Sequence, residues 1–316
     1  MSTFLRMILT HEPSSNLKRE ISIIAGPSST DLATRIARDL DAELVPVDVR
    51  IFADGESKIK TGKSGKKCCI IVQSTYPPTD RHLLQALMMI KNCTDCKALN
   101  VYTVIPYMAY ARQDKVFLEG EVISIALVAK LLEAVGTKKV ITVDIHSSLA
   151  LSHFTINVHN ISSIPILAGY AANQMKLTKP IVVSPDSGGI ARAREFAKIL
   201  KVDLMALKKS RNRDTGEVHI DERLDSSIMD RDILLIDDMI SSGDSMVNAC
   251  RALKKNECGK VYALCTHALL VGNAIQRIKA AGIEDIIATN SIPTEFAKID
   301  LSQIISENLR NLVQSH

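Results

Sequence analysis

Ile233-Leu-Leu-Ile-Asp-Asp-Met-Ile-Ser-Ser-Gly-Asp-Ser-Met246 is an apolar run closed by two carboxylates, followed by a Ser/Gly loop and a new periodicity. An unbroken Ile/Leu run without polar alternation is the pattern of a strand buried on both faces, as in a parallel sheet. Backbone N–H groups at a helix start, helped by serine hydroxyls, form a cradle for phosphate. Carboxylates at a strand end, here Asp237 and Asp238, can bind vicinal sugar hydroxyls or a metal-bound one. Together the parts fit a sugar carrying a phosphate. The bland alternative is an acid-rich strand end with ordinary serine caps.

The same alternation extends outward through the chain. Apolar runs at 21–26, 44–49, 68–73, 98–105 and 139–145 form one set of strand candidates, and 181–184, 203–207, 233–236, 261–268 and 285–289 form a second. Helical periodicity lies between them at 29–40, 80–91, 121–134, 165–174, 190–200, 245–255 and 273–281. Alternating strands and helices predict an α/β protein with mainly parallel sheets flanked by helices. The polar stretch 157–164 divides the two sets, giving domains at 20–160 and 161–299. An amphipathic helix at 301–313 is expected to pack back, as part of 300–316, on the first domain. The stretches 141–147 and 234–240 are alike, each an apolar strand ending in an acid, and hint at a duplicated unit. In open α/β sheets, ligands bind beyond the carboxyl ends of the strands.

Other strand ends carry polar groups. Val182-Val-Ser-Pro-Asp-Ser-Gly-Gly-Ile-Ala-Arg-Ala-Arg194 places Asp186 and then Gly188 and Gly189 before a helix. The glycines permit close approach of backbone to an anion, and Asp186 is a hard-oxygen ligand suited to Mg²⁺. A plain structural turn fits equally well. Asp144-Ile145-His146 closes another run, and strand alternation would put Asp144 and His146 on one face. In the first half, Phe52 could pack on an adenine, Asp54, Glu56 and Gln113 could read its edges, and Arg112 could meet phosphates. Lys208-Lys-Ser-Arg-Asn-Arg213 before Asp214-Thr-Gly-Glu217 is either a solvated hairpin or a mobile cationic loop that closes over polyphosphate.

Composition narrows the function classes. The chain has 316 residues with 46% hydrophobic and only 4% aromatic, which excludes a disordered chain and argues against a stacking platform for single-stranded nucleic acid. The net charge of +4 is spread among acids rather than gathered into a basic block, so no nucleic-acid partner is expected. Seven cysteines with one C-x-x-C, Cys93 to Cys96, and no second half to complete a zinc site read as reduced thiols of a cytoplasmic protein. Charged residues soon after the short apolar stretch at 1–10 do not make a signal peptide, and no run is long enough to span a membrane.

Taken in order, the motifs at 52–56, 112–115, 144–146, 184–194 and 237–245 resemble ribose-phosphate pyrophosphokinase, also called phosphoribosyl pyrophosphate synthetase. The likeness runs from about 21 to about 290. It implies two phosphoribosyltransferase-type domains, the second holding the sugar. It implies transfer of the diphosphoryl group of ATP to the 1-hydroxyl of ribose 5-phosphate, with release of AMP, in nucleotide biosynthesis. By the family's pattern Phe52, Asp54, Gly55, Glu56, Arg112 and Gln113 bind ATP from a neighbouring subunit, so a homo-oligomer is implied. His146 and Asp186 hold Mg²⁺, Lys209 and Arg211 are the catalytic-loop cations, and Arg211 also meets ribose 5-phosphate. Asp237 and Asp238 face the ribose hydroxyls, and Ser241, Ser242, Gly243, Asp244 and Ser245 the 5-phosphate.

The chain departs from the pattern at Val122, usually Pro, at Asp244, usually Gly, at Ser245, usually Thr, and at Ser210 inside the Lys-x-Arg. Asp244 matters most, since a carboxylate facing a phosphate would repel it. It is expected to act as the N-cap of the 245–255 helix with its carboxylate turned outward. The alternatives to the main reading are a phosphoribosyltransferase that consumes the activated sugar, and a catalytically silent regulatory paralogue.

Overall fold

The computed structural model describes residues 20–62, 67–207, 209–211, 218–220 and 228–314. In chain order the strands are β1 (Ile21–Ala25), β2 (Glu43–Ile51), β3 (Ser57–Thr61), β4 (Cys68–Val72), β5 (Asn100–Ile105), β6 (Lys139–Val143), β7 (Asn157–Ile161), β8 (Ile181–Ser184), β9 (Asp203–Ala206), β10 (Lys209–Arg211), β11 (Val218–Ile220), β12 (Ile233–Ile240), β13 (Val261–Ala268), β14 (Ile283–Thr289) and β15 (Ala297–Ile299). Among the described residues they form a seven-stranded sheet in the order β3-β2-β1-β4-β5-β6-β7 and a six-stranded sheet in the order β15-β14-β13-β12-β8-β9, with β10 and β11 a separate pair. Every pairing in the two large sheets is parallel except β2 with β3.

The all-apolar strands follow from burial on both faces. In the first sheet Ile21, Ile23, Ile70, Val72, Val104 and Ile141 pack toward helices Thr30–Leu40 and Ser302–Gln314. The alternate residues Ile24, Ile71, Val101, Ile105 and Val140 pack toward helices Thr79–Asp95 and Ser124–Ala134. The second sheet repeats this. Val183, Ile233, Leu235 and Ala263 face helix Asp244–Lys254, while Val182, Leu234, Ile236 and Leu264 face helices Ile164–Gln174 and Ile190–Leu200. Leu301, Ile305 and Leu309 bury the apolar stripe of the last helix in the first sheet's core.

Both sheets have one order. From β1 the first runs through β2 on one side and β4 to β7 on the other; from β8 the second runs through β9 on one side and β12 to β15 on the other. The duplication hinted at by sequence is therefore present in topology. The two alike stretches, however, fall on β6 and β12, which hold different places in that order. Their likeness reflects a shared strand-then-acid chemistry and not equivalence.

Two expectations are corrected. First, β12 continues to Ile240, so Asp237 and Asp238 lie within the strand rather than at its end, with Asp237 in register with Cys265 of β13. Second, β6 stops at Val143, and Asp144 takes a left-handed backbone, φ 38°. Asp144 therefore does not share a face with His146; it turns into the junction between the sheets. There its Oδ2 accepts from Ser163 N–H at 3.1 Å, Ser163 Oγ at 2.5 Å and Thr266 Oγ1 at 2.6 Å. Within the polar stretch 157–164, Asn157–Ile161 is the edge strand β7 of the first sheet.

More bridges join the sheets. The buried His267 on β13 reaches the Val143 carbonyl at 3.1 Å and Ser291 Oγ at 2.9 Å. Ser74 Oγ donates to the Ser291 carbonyl at 2.6 Å. Every member is buried, so each of these polar groups depends on its partner across the junction.

Candidate active site

In the second sheet the strand order reverses between β8 and β12, the crevice where open α/β sheets bind ligands. Asp186 follows β8, and Asp237 and Asp238 lie on β12. A cleft of about 760 Å³ opens there, lined by Arg112, His146, Asp186, Arg192 and the run from Asp237 through Ser245. Of the predicted residues it brings together Arg112, His146, Asp186, Asp237, Asp238, Ser241, Ser242, Gly243, Asp244 and Ser245.

Asp238 is the hub. Its side chain is 6% exposed, and its Oδ2 accepts from His146 Nδ1 at 2.7 Å. Arg192 Nη1 stands 3.5 Å from Oδ1 of both Asp237 and Asp238. Burial works to raise the Asp238 carboxyl, but the His146 hydrogen bond and the Arg192 charge outweigh it and hold it well below the usual carboxylate range. The same hydrogen bond raises the His146 imidazole, against burial. Asp237 goes the other way: burial first, then the neighbouring Asp238, push its carboxyl up. Adjacent positions on one strand thus hold an anion secured by a histidine hydrogen bond and an arginine, and an acid with weak hold on its charge.

His146 is set for a second role by this bond. When Nδ1–H donates to Asp238, neutral imidazole carries its lone pair on Nε2. Asp186 offers carboxylate oxygen in the same cleft, with Oδ1 accepting from Gly189 N–H at 3.1 Å. Among the described residues no group of three or more His, Cys, Asp or Glu is arranged to hold a metal ion by itself. One imidazole and one carboxylate fit a hard divalent cation completed by phosphate oxygens and water rather than a closed protein cage.

The phosphate-type loop follows β12. Helix Asp244–Lys254 starts with Gly243 as N-cap, φ 81°, so Asp244 is the first helical residue and not the cap. The carboxylate of Asp244 is engaged on both oxygens: Ser242 Oγ donates to Oδ2 at 2.6 Å, and Arg277 Nη2 pairs with Oδ1. The loop after β8 is tight at Gly189. A Cβ on Gly189 would come within 2.8 Å of Ser184 Oγ.

Arg112 is positioned from the first sheet. It sits in the loop after β5, where the buried Asp114 accepts from Ser147 Oγ and, through its carbonyl, meets His153 Nε2 at 2.7 Å. This ties the 112–114 loop to the segment that carries His146. Arg112 therefore lines the cleft of its own chain.

The remaining predicted residues lie elsewhere. Phe52, Asp54, Gly55 and Glu56 form the β2–β3 turn, where Asp54 Oδ1 accepts from Glu56 N–H at 3.1 Å and Gly55 has φ 94°. Phe52 is exposed, with the Arg50 guanidinium 4.9 Å from its ring centre. None of the four lines the cleft. Gln113 turns away, donating to Glu121 Oε2 at 3.1 Å. Lys209 and Arg211 lie on β10, antiparallel to β11; their side chains, and the residues 212–217 of the cationic loop, are outside those described.

Arg192 was missed. It carried a signal in the sequence, an arginine in the first turn of the helix that follows the glycine pair, but nothing there tied it to two acids on another strand.

Comparison with known proteins agrees with this architecture. Residues 21–136 match the model for the N-terminal domain of ribose phosphate pyrophosphokinase, and 223–316 that for a phosphoribosyl synthetase-associated domain. A ribose-phosphate pyrophosphokinase of Methanopyrus kandleri is 38% identical over 291 residues, covering 92% of this chain and 99% of that protein. One from Methanobrevibacter smithii is 35% identical, covering 92% of this chain and 100% of that protein. The crystal structure of phosphoribosylpyrophosphate synthetase from Mycobacterium smegmatis superposes with a TM-score of 0.84 at 27% identity, covering 94% of this chain and 100% of that one. At this identity and coverage, the chain belongs to the ribose-phosphate pyrophosphokinase family.

Proposed function

We propose that this chain transfers the diphosphoryl group of ATP to the 1-hydroxyl of ribose 5-phosphate, giving 5-phosphoribosyl 1-diphosphate and AMP. The observation that carries the reading is the single cleft in which a serine phosphate loop, an acid pair, His146, Asp186 and Arg112 meet at the reversal of the second sheet. The ribose 1-hydroxyl oxygen forms a bond to the β-phosphorus of ATP and gives up its proton to solvent, while the bond from that phosphorus to the α-bridging oxygen breaks and AMP leaves. Such a transfer needs in-line positioning and charge neutralisation rather than covalent catalysis.

The chain's residues divide these tasks. Asp237 and Asp238 accept from the ribose hydroxyls, and the backbone N–H groups and hydroxyls of Ser241 to Ser245 hold the 5-phosphate. Arg112 meets the polyphosphate. His146 through Nε2 and Asp186 through its carboxylate would hold Mg²⁺. The cation neutralises phosphate charge when bound. Lys209 and Arg211 supply further positive charge to the transferred group, with Arg211 also touching the sugar. The Phe52 to Glu56 turn, outside its own cleft, would serve the adenine of a neighbouring subunit in a homo-oligomer, with Gln113 beside it. Among the described residues no helix is long and apolar enough to cross a membrane, which is compatible with a cytoplasmic enzyme.

Titration with Mg²⁺ tests the metal part. Asp186→Asn and His146→Ala should each raise the Mg²⁺ concentration needed for half-maximal rate. An unchanged titration in both would remove them as ligands. Lys209→Ala and Arg211→Ala should each lower kcat by roughly 10²–10³, with KM for both substrates changing much less. A double variant that kept its kcat would exclude the loop from the chemistry.

A further inference from the structure

Asp244 puts a carboxylate in the first turn of a helix whose N-terminus lines the cleft, and the fold answers it with a cation from another element. Arg277, on helix Ala274–Ala280, pairs through Nη2 with Asp244 Oδ1 and donates through Nη1 to the Ser242 carbonyl at 3.3 Å. The rest of that segment braces the same loop. Leu270 N–H donates to the Ile240 carbonyl at 2.9 Å and Val271 N–H to the Ser241 carbonyl at 3.1 Å. A Cβ placed on Gly243 would come within 2.9 Å of Ile278 Cδ1, so the loop's tightest point rests on the residue next to Arg277.

We propose that Arg277 is a positioning residue for the phosphate loop: by engaging the Asp244 carboxylate and the Ser242 carbonyl together, it neutralises the carboxylate and fixes the loop that receives the 5-phosphate of ribose 5-phosphate. This rests on the reading of 241–245 as that loop. Two contacts from one planar guanidinium suit the task, because its donors keep a fixed fork while its charge stays on at any working pH. Ser242 Oγ, already bonded to Asp244 Oδ2, closes the arrangement on the carboxylate's other oxygen. A lysine could match the charge but not both contacts at once. Released from Arg277, the Asp244 carboxylate would stand as an uncompensated charge near a dianion. Both groups are partly exposed, 58% for Asp244 and 39% for Arg277, so screening tempers the repulsion. An effect of about tenfold on sugar-phosphate affinity is the scale expected for two like charges within several ångströms of each other, screened near a wet surface.

The test is steady-state kinetics on the full chain with Arg277→Met, Arg277→Lys, Asp244→Asn/Arg277→Met and Ser245→Ala. Arg277→Met should raise KM for ribose 5-phosphate about tenfold while kcat and KM for ATP move much less, and Arg277→Lys should fall between it and the parent. Removing the orphaned carboxylate in the double variant should recover most of the loss. A merely structural arginine would give no such rescue, and a double variant as impaired as Arg277→Met overturns the proposal. So does an unchanged KM in Arg277→Met when Ser245→Ala raises it, which leaves the loop reading intact. An unchanged KM in Ser245→Ala would sink the loop reading and the proposal with it. If Arg277→Met does not fold, Arg277→Lys carries the test, and an unchanged KM for ribose 5-phosphate there overturns it.

Discussion

Asp237 and Asp238 are neighbours in sequence with opposite electrostatic fates. Asp238 is held ionised by His146 and Arg192, while Asp237, facing burial and the charge next door, is pushed up. The acid pair was legible in the sequence; its division of labour was not, because Arg192 arrives from the helix after β8 and His146 from the first sheet. The raised carboxyl has a consequence for stability. A group whose folded value lies above its unfolded one, about 4 for Asp, carries no penalty below that pH and destabilises increasingly as pH rises toward the folded value. Asp237→Asn should therefore melt higher than the parent at pH 8, by about 2–4 °C for each kcal/mol relieved, with the difference vanishing near pH 4. Thermal melts without substrate or metal across that range check it, and a difference that grew toward low pH would contradict it. The same variant should lose activity, as expected where a site sacrifices stability for function.

At the scale of elements, the buried strands could be read directly. β1, β4 and β8 are buried at every position, and their Ile, Val and Cys runs say so. What escaped were short edge strands with mixed polarity: β3, β7 and β15 pair on one side, need little apolar character and leave no clear period. The cap of helix Asp244–Lys254 was misplaced by one residue, because Asp outranks Gly as a cap in general while this turn needs a left-handed backbone. Gly243 supplies that backbone and the space beside Ile278. Gly243→Ala should cost about 1–2 kcal/mol from the backbone alone, with crowding against Ile278 added. It should also raise KM for ribose 5-phosphate. Denaturant melts and kinetics would read both, and a variant unchanged in both would mean the loop tolerates another shape.

Over the whole molecule, the cleft is built by both sheets, and the junction between them is polar and buried. Asp144 anchors it from a left-handed backbone that aspartate tolerates better than most residues, with three donors on one oxygen. Sequence marked Asp144 as an acid at a strand end and assigned it to the wrong face, since strand alternation ends where the strand does. Asp144→Ala would leave Ser163 and Thr266 without this acceptor and should destabilise the chain by roughly 2–4 kcal/mol. Urea melts test this, and a loss below a few tenths of a kcal/mol would mean that other bridges carry the junction. The reaction itself is the function's most direct test. Phosphorus NMR of the chain with ATP, Mg²⁺ and ribose 5-phosphate, and no nucleobase, follows the transferred group directly. The account predicts AMP and a sugar 1-diphosphate appearing in equal amounts as ATP disappears; ADP with a singly phosphorylated C1 oxygen, or ATP left intact, would contradict it.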